Sequence, residues 1–474
     1  MSSLSAAAIS PRGRSLGALC APAIAAISLL GLVASSLTVV LIAAERPSFL
    51  APVTRPGFFP AWMVGPLRGL WPGLTANPSR LAWLVSALIA VMFGLYLAAF
   101  LSAPRLRARW TIAAVVAIHV IFLLAPPLSY TDVFNYVNYA RLGVVHHLNP
   151  YTTLPASGPH ADPSFALSNW HHLRSPYGPL FTLIGYVLVP LGVKGSFWAL
   201  KLLVCLASLA TLGLVWKCAR LLGRSPVAAV AFVAFNPIVL IWGIGADHND
   251  ALMMLLVVLA LYLALRQRPG SSWGRAGSAL VAAVFVKASA AVLLPVFLAA
   301  AAVRLRFLGG ALLAAAGLTL ASLIAFGFHA PDLATQGGLV TAIGIPNLIG
   351  LALGQGGETG ILQLVVGALA TLAVLGCAIW TLRRPRDWIA ACGVSMLVLV
   401  VSLSWAAPWY VIWILPFAAL STGRRLRVAT TVLGAYLIVA FMPAAVLLAD
   451  DIGFHPAATR LGVEHTRAIA KVFR

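Results

Sequence analysis

The chain has 474 residues, 61% apolar and 9% charged, with 32 Lys and Arg against 11 Asp and Glu and a formal net charge of +21. Soluble domains carry about a quarter charged residues, so this composition excludes a water-soluble globular protein and points to a polytopic α-helical membrane protein. It also argues against a nucleic-acid partner. The basic residues fall in short gaps between apolar runs, as at 104–109, 383–386 and 424–427, with no basic face interleaved with exposed aromatics.

In chain order, the first apolar run covers 17–44 and is too long for a signal-peptide core, so a retained first helix is expected. Further runs lie at 80–102, 110–128, 177–192, 196–216, 226–244, 250–266, 276–303, 307–328, 359–382, 388–406, 408–421 and 428–448. They predict an all-α transmembrane bundle of about 11–13 helices, with interfacial helices in the external loops. The positive-inside rule puts the basic loop at 104–109 in the cytoplasm and the loop at 129–176 outside. Two places resist a simple count. If 177–192 and 196–216 both cross, Lys217, Arg220 and Arg224 fall outside, so one of these runs is short, re-entrant or interfacial. The 276–303 run carries Lys287 at its centre and Arg275, Arg304 and Arg306 at its ends, which fits a hairpin of two short helices as well as one long span. The expected organisation is a single integral membrane domain over 1–474, with 129–176 as the external catalytic loop and 449–474 as a short polar tail. Cys20, Cys205, Cys218, Cys377 and Cys392 lie within or beside apolar segments without paired spacing, which predicts neither disulfides nor a zinc site.

Eleven carboxylates in so long a chain make elimination practical. Asp162, Asp332, Asp387 and Glu358 sit in loops beside proline, arginine or glycine. Glu45 follows the first helix, and Asp450, Asp451 and Glu464 lie in or near the tail. Asp132, Asp247 and Asp250 remain, each at the mouth of an apolar helix where burial is costly without a purpose. Read as a helix, the segment from Asp132 puts Asn135, Tyr136, Tyr139, Gly143 and His146 on one stripe with it, while Val133, Val137 and Ala140 form another. The plainer alternative is that Asp132, or Thr131 before it, caps the helix. Five of the ten histidines fall between 146 and 172, and Arg174 follows. Contact with a headgroup phosphate suits His146 and His147 better than metal chelation, because adjacent side chains on a helix point about 100° apart. Gly245-Ala-Asp-His-Asn-Asp250 sets Asp247, His248, Asn249 and Asp250 between two apolar helices, with a capped turn as the plainer alternative. Lys287, costly in lipid, is expected to face the bundle interior or to snorkel.

Asp132 with its aromatic-rich helix, Leu148-Asn-Pro-Tyr151, Ser175-Pro-Tyr-Gly-Pro-Leu180, Asn236-Pro237 with Asp247-His-Asn-Asp250, and Lys287 ahead of Pro295 resemble GT-C fold glycosyltransferases. The likeness is to glycosyltransferase family 87 and the actinobacterial polyprenyl-phosphomannose-dependent α-mannosyltransferases, and it is carried by about 130–295. The resemblance implies a membrane enzyme taking a hexose, mannose in that family, from a polyprenyl monophosphate donor to an envelope glycan or glycolipid at the outer leaflet. It implies Asp132 as the base, although the family's usual place for it is the first external loop and here the motif follows the third apolar run. No cofactor is expected, because the lipid-linked sugar is a substrate, and a divalent metal is possible but not indicated. The chemistry agrees. A carboxylate takes the acceptor hydroxyl proton as that oxygen attacks the anomeric carbon in line, and the departing phosphate needs positive charge. Arg141, Arg174, Lys287 and the loop histidines are candidates for that charge. Tyr136, Tyr139, Tyr151, Tyr177, Trp409 and Tyr410 are candidate sugar-stacking groups. The rival is a transporter or lipid-linked sugar flippase, which also uses broken helices and intramembrane charge. Against it, the acids lie at helix mouths and no internal repeat is visible.

Overall fold

The computed structural model describes residues 16–46, 60–129, 132–266 and 272–454. All regular structure among them is helical, as lipid requires of a chain that satisfies its backbone bonds within each segment. The first helices are α1 (Leu16–Glu45), α2 (Pro78–Leu101) and α3 (Ala108–Leu123). Asn77 caps α2 by accepting from Arg80 N, and Pro78 opens it where no intrahelical N–H bond is needed. α4 (Asp132–Val144) follows and is buried on both faces rather than on one stripe. Thr131, the other candidate cap, lies outside the described residues.

The doubtful pair at 177–216 resolves into α5 (Pro179–Leu188) and α6 (Gly192–Leu221). The helical assignment runs almost unbroken across them, yet the chain turns sharply between. Gly192 has φ +70°, a conformation closed to most side chains. Ser196 Oγ reaches back to Leu188 O at 2.8 Å, whereas eight residues of straight helix would span roughly 12 Å. Ten residues of α5 are too short to cross a bilayer, and α5 packs on α4 beside the 129–176 loop. The traverse belongs to the 30-residue α6, which carries Lys217, Arg220 and Arg224 to the other end.

α7 (Pro226–Ala234) is followed by a π-helical stretch, Ile238–Ile244, bent from it by 56° at Asn236-Pro237. Pro237 has no N–H to continue the ladder, and Asn236 Oδ1 instead accepts from Ile238 N at 2.9 Å. α8 (Asp250–Leu265) precedes α9 (Ser272–Val286). At Lys287 the backbone leaves the helix with φ −154° and re-forms as a 3₁₀ stretch and α10 (Leu294–Ala300). Gly274 at the start of α9 lies against Arg306, just past α10. The 276–303 run is therefore the hairpin, with Lys287 at its tip.

α11 (Arg304–Phe326), α12 (Gly360–Arg383), α13 (Trp388–Ser402), α14 (Leu415–Leu420, preceded by a 3₁₀ segment Pro408–Trp413) and α15 (Arg424–Phe441) complete the bundle. Six helices among the described residues, or seven counting the bent pair as one, are long and apolar enough to cross a membrane. α11 and α12 expose Leu313, Ile324, Ile361 and Leu364, outward faces suited to lipid and not to water. The turns at 222–225, 385–390 and 421–427 meet at one end, which is rich in arginine. The loops at 128, 175–178, 245–249, 332–341 and 404 meet at the other through backbone bonds such as Leu128 N to Gly245 O and Thr341 N to Ser404 O. Of the expected polar tail, residues 455–474 lie outside the described residues, and 449–454 finish a short helix.

Candidate active site

α4 begins at Asp132, which therefore sits at a helix N-terminus with its carboxyl buried. Tyr177 donates to Asp132 Oδ1 at 3.1 Å. Tyr177 is held there by a close backbone approach. Gly178 N donates to Val286 O, and a Cβ on Gly178 would lie 2.1 Å from Phe285 O. That contact sets the 175–178 turn against the tip of the α9–α10 hairpin, and so sets Tyr177 beside Lys287. His248 Nδ1 lies 3.8 Å from Asp132 Oδ2, an electrostatic neighbour too distant for a hydrogen bond. The His248 ring stacks on Trp409 with centroids 3.8 Å apart. Tyr136 meets Tyr177 and Phe181 edge to face at 4.7 and 4.8 Å, and its hydroxyl accepts from Asn249 N.

Asp250 opens α8 and takes Lys287 Nζ on both oxygens at 2.9 Å, with Trp413 Nε1–H donating as well. Lys287 Nζ stands over the rings of Tyr410 and Trp413 at 5.1 and 5.4 Å. Asp247 turns away. Its backbone is left-handed at φ +59°, and its fully buried carboxylate pairs with Lys201 of α6 at 3.3 Å. Burial pushes the Asp132 carboxyl up to about 6, against the pull of the Tyr177 bond and the Lys287 charge. Burial, then Lys287, holds His248 well below the usual imidazole range, so its ring is neutral at physiological pH.

A cavity of about 620 Å³ opens beside this cluster. Tyr177, Lys287, Tyr410 and Trp413 line its polar end, and Val292, Pro295, Ala370, Val374 and Leu399 line its apolar wall.

The structure therefore gathers Asp132, Tyr136, Tyr177, His248, Asn249, Asp250 and Lys287 around one centre. The other expected residues have their own bonds. Asn135 holds the 169–170 turn, Tyr139 donates to Leu173 O, and Tyr151 donates to Tyr177 O at 2.9 Å. Arg141 and His146 both bond Asp162, an acid that the sequence had set aside in a loop. His147 and Arg174 are exposed. Lys201 and Trp413 were not foreseen. Lys201 is a lone cation inside the 196–216 run and carried the same intramembrane-charge signal as Lys287, whereas nothing in the sequence separates Trp413 from an ordinary interfacial aromatic.

Fold and site together define a multi-pass helical membrane protein whose scarce carboxylates converge beside a largely apolar cavity. The model described as α-(1→6)-mannopyranosyltransferase, N-terminal domain, matches residues 28–304, and the MptB C-terminal domain matches 340–463. The chain belongs to this α-(1→6)-mannopyranosyltransferase family. Two α-(1→6)-mannopyranosyltransferases of Mycobacterium tuberculosis are 26% and 31% identical, each over 68% of this chain and 67% of their own length. One from Corynebacterium glutamicum is 33% identical over 36% of this chain and 35% of its own. No solved structure matches the chain. The first matched region contains Asp132, Tyr177, Asp250 and Lys287, and the second contains Trp409, Tyr410 and Trp413, so the centre draws on both.

Proposed function

We propose that the protein transfers mannose from a polyprenyl monophosphate carrier to a hydroxyl of an envelope glycan or glycolipid, at the outer face of the cytoplasmic membrane. The observation that carries this reading is a lysine at the polar end of a largely apolar cavity, with the buried Asp132 carboxylate one hydrogen bond behind the lining Tyr177. Such a cavity suits a substrate that is part isoprenoid and part sugar phosphate. Mannose and the α-(1→6) linkage come from the names of the relatives. The outward orientation follows from the arginine-rich turns gathered at the opposite end of the bundle.

In this mechanism Asp132 accepts the acceptor hydroxyl proton while that oxygen attacks the anomeric carbon, the carrier phosphate leaves from the far face, and the anomeric configuration inverts. Its raised pKa makes Asp132 a better base than an exposed aspartate and keeps it ionised at neutral pH. Lys287, anchored by Asp250, presents positive charge toward the departing phosphate. Neutral His248, braced on Trp409, and Tyr136, edge-on to Tyr177, back the centre, and Tyr177 faces the sugar from the cavity wall. The sugar-lipid is a substrate, so the scheme calls on no cofactor.

The test is transfer of radiolabelled mannose from polyprenyl phosphate by the purified protein, beside Asp132→Asn. Asn keeps the size of Asp but not its basicity, and general-base catalysis contributes about 10²–10⁴-fold, so a loss in that range is expected. In the wild type, kcat/KM should fall as pH drops through about 6, where Asp132 takes up a proton. A loss under about tenfold, well short of the general-base range, returns Asp132 to the role of a helix cap. For orientation, Ser157→Cys, at an exposed site in the 129–176 loop, should react with an impermeant thiol reagent in intact cells. Labelling only after lysis reverses the topology.

A further inference from the structure

Glu358 sits in a Gly-rich turn, yet it is only 5% exposed. Its Oε1 accepts from Ser404 Oγ at 2.8 Å, and its Oε2 has no hydrogen-bond partner. No Lys, Arg or His lies within ion-pair reach of it among the described residues. The turn is tightly built. Asn347 Oδ1 accepts from Glu358 N at 2.9 Å, and a Cβ on Gly350 would lie 2.0 Å from Gly357 O. Capping a turn does not require a buried carboxylate with an unmade bond and no cation, and native proteins retain few such groups without a use.

The hydrogen-bond directions give the use. A carboxylate accepts, so Ser404 must donate its one proton to Glu358 and can only accept from its other neighbour. That neighbour is the Gln363 amide, whose Nε2 donates to Ser404 Oγ at 3.1 Å and to Gly337 O at 2.8 Å. Both acceptors demand the NH₂ end of the amide, so Gly337 O and, through Ser404, Glu358 together fix the flip of Gln363. Both its N–H groups are then spent, and Oε1 is the polar atom that remains. Gln363 is exposed, and it lines the same cavity as Lys287.

We infer that Gln363 is a sugar-binding residue whose amide oxygen accepts a hydroxyl proton from a hexose ring, and that Glu358 and Ser404 are positioning residues that fix the amide's orientation. The subsite belongs to the α12–α13 side of the cavity that Tyr177 and Lys287 also line, and the inference rests on the mannosyl-transfer reading. A ring hydroxyl could belong to the donor sugar or to the acceptor, and the kinetics separate the two.

The experiment measures KM for polyprenyl-phosphate mannose and for octyl α-D-mannoside, with kcat, in wild type, Gln363→Leu, Glu358→Gln and Ser404→Ala. Gln363 is exposed, so its replacement should fold even if Glu358→Gln does not. Loss of one hydrogen bond to a sugar hydroxyl corresponds to a KM rise of about tenfold, with kcat changed less than about threefold. A rise for octyl α-D-mannoside assigns the hydroxyl to the acceptor, and a rise for the lipid-linked sugar assigns it to the donor. Unchanged KM for both, or a fall in kcat alone, overturns the inference. If wild type transfers nothing, the mannosyl-transfer reading fails. Binding of octyl α-D-mannoside and of polyprenyl-phosphate mannose, followed by tryptophan fluorescence, then decides the subsite by itself, and equal affinity of wild type and Gln363→Leu for both overturns it.

Discussion

Lys201–Asp247 and Lys287–Asp250 use the same two residue types, and their carboxylates lie on one turn, but their surroundings differ. Both side chains of the first pair are fully buried, and nothing but protein can reach them. In the second, Asp250 is sealed while the Lys287 side chain keeps 18% exposure and lines the cavity. Removing two charges from water costs several kcal/mol per ion, and a sealed pair recovers that only through close mutual attraction and further hydrogen bonds. The sealed pair holds the left-handed backbone at Asp247, and with it the neighbouring His248 against Trp409 and Asp132. The open pair keeps a cation where a substrate phosphate can meet it. One pair shapes the site and the other acts in it.

Lys287→Met tests the open pair and should show the larger effect on turnover. Losing a charge donor at a developing anion costs about 10²–10³-fold in kcat. Met keeps the length of the stem but leaves the buried Asp250 with only the Trp413 bond, so the variant should also lose stability, and kcat is read on the folded protein. Comparable kcat in Lys287→Met and wild type would make the open pair merely structural and dissolve the contrast.

Lys201→Met should act chiefly on stability. It leaves Asp247 buried without its cation, and breaking such a pair costs about 3–5 kcal/mol of stability. Thermal unfolding in detergent reads this directly. Replacing both partners, as Lys201→Met with Asp247→Leu, should recover much of the lost stability, because an apolar pair needs no desolvation. If the single variant unfolds at the wild-type temperature, the sealed pair does not hold the turn.

The contrast also shows what the sequence could disclose. Asp132 and Asp250 stood out because charge is scarce in this chain and each lies at the end of an apolar run, and Lys287 because it interrupts the centre of one. Lys201 stands in the middle of such a run, and its partner was legible only as one acid of a turn; their meeting depends on how α6 packs against that turn. Likewise, the reversal at 189–192 rests on the φ of Gly192 and on the Ser196–Leu188 bond, neither of which a hydropathy pattern encodes. The conflict in the positive-inside count nevertheless marked the place. The hairpin at Lys287 was legible for a plainer reason, since the run had basic residues at both ends and in the middle. Trp413 and Glu358 had no such mark, because their roles depend on partners more than 40 residues away in the chain.

The smallest effect should come from the Arg141–Asp162–His146 cluster, which lies in the 129–176 loop away from the cavity. Burial alone would raise the Asp162 pKa, but bonds from Arg141, Ser164 and His146 outweigh it and hold the carboxyl well below the usual carboxylate range. A depressed carboxylate pKa contributes stability that is present above the unfolded value of about 3.9 and lost as pH falls through the folded value. The clasp should therefore persist unchanged from pH 7 to about 5, where Asp162 stays ionised by that reckoning. His146 supplies one bond of several, at 2.7 Å, and its side chain is 21% exposed. His146→Gln keeps a donor, and one partly exposed bond is worth about 1 kcal/mol or less, so unfolding temperature and transfer should both stay near wild type. Thermal unfolding at pH 7 and pH 5, with the transfer assay in parallel, measures each quantity. A loss of transfer above about tenfold, more than one such bond accounts for, without loss of stability would move His146 from the loop clasp to the substrate phosphate, where its place in the sequence first suggested it.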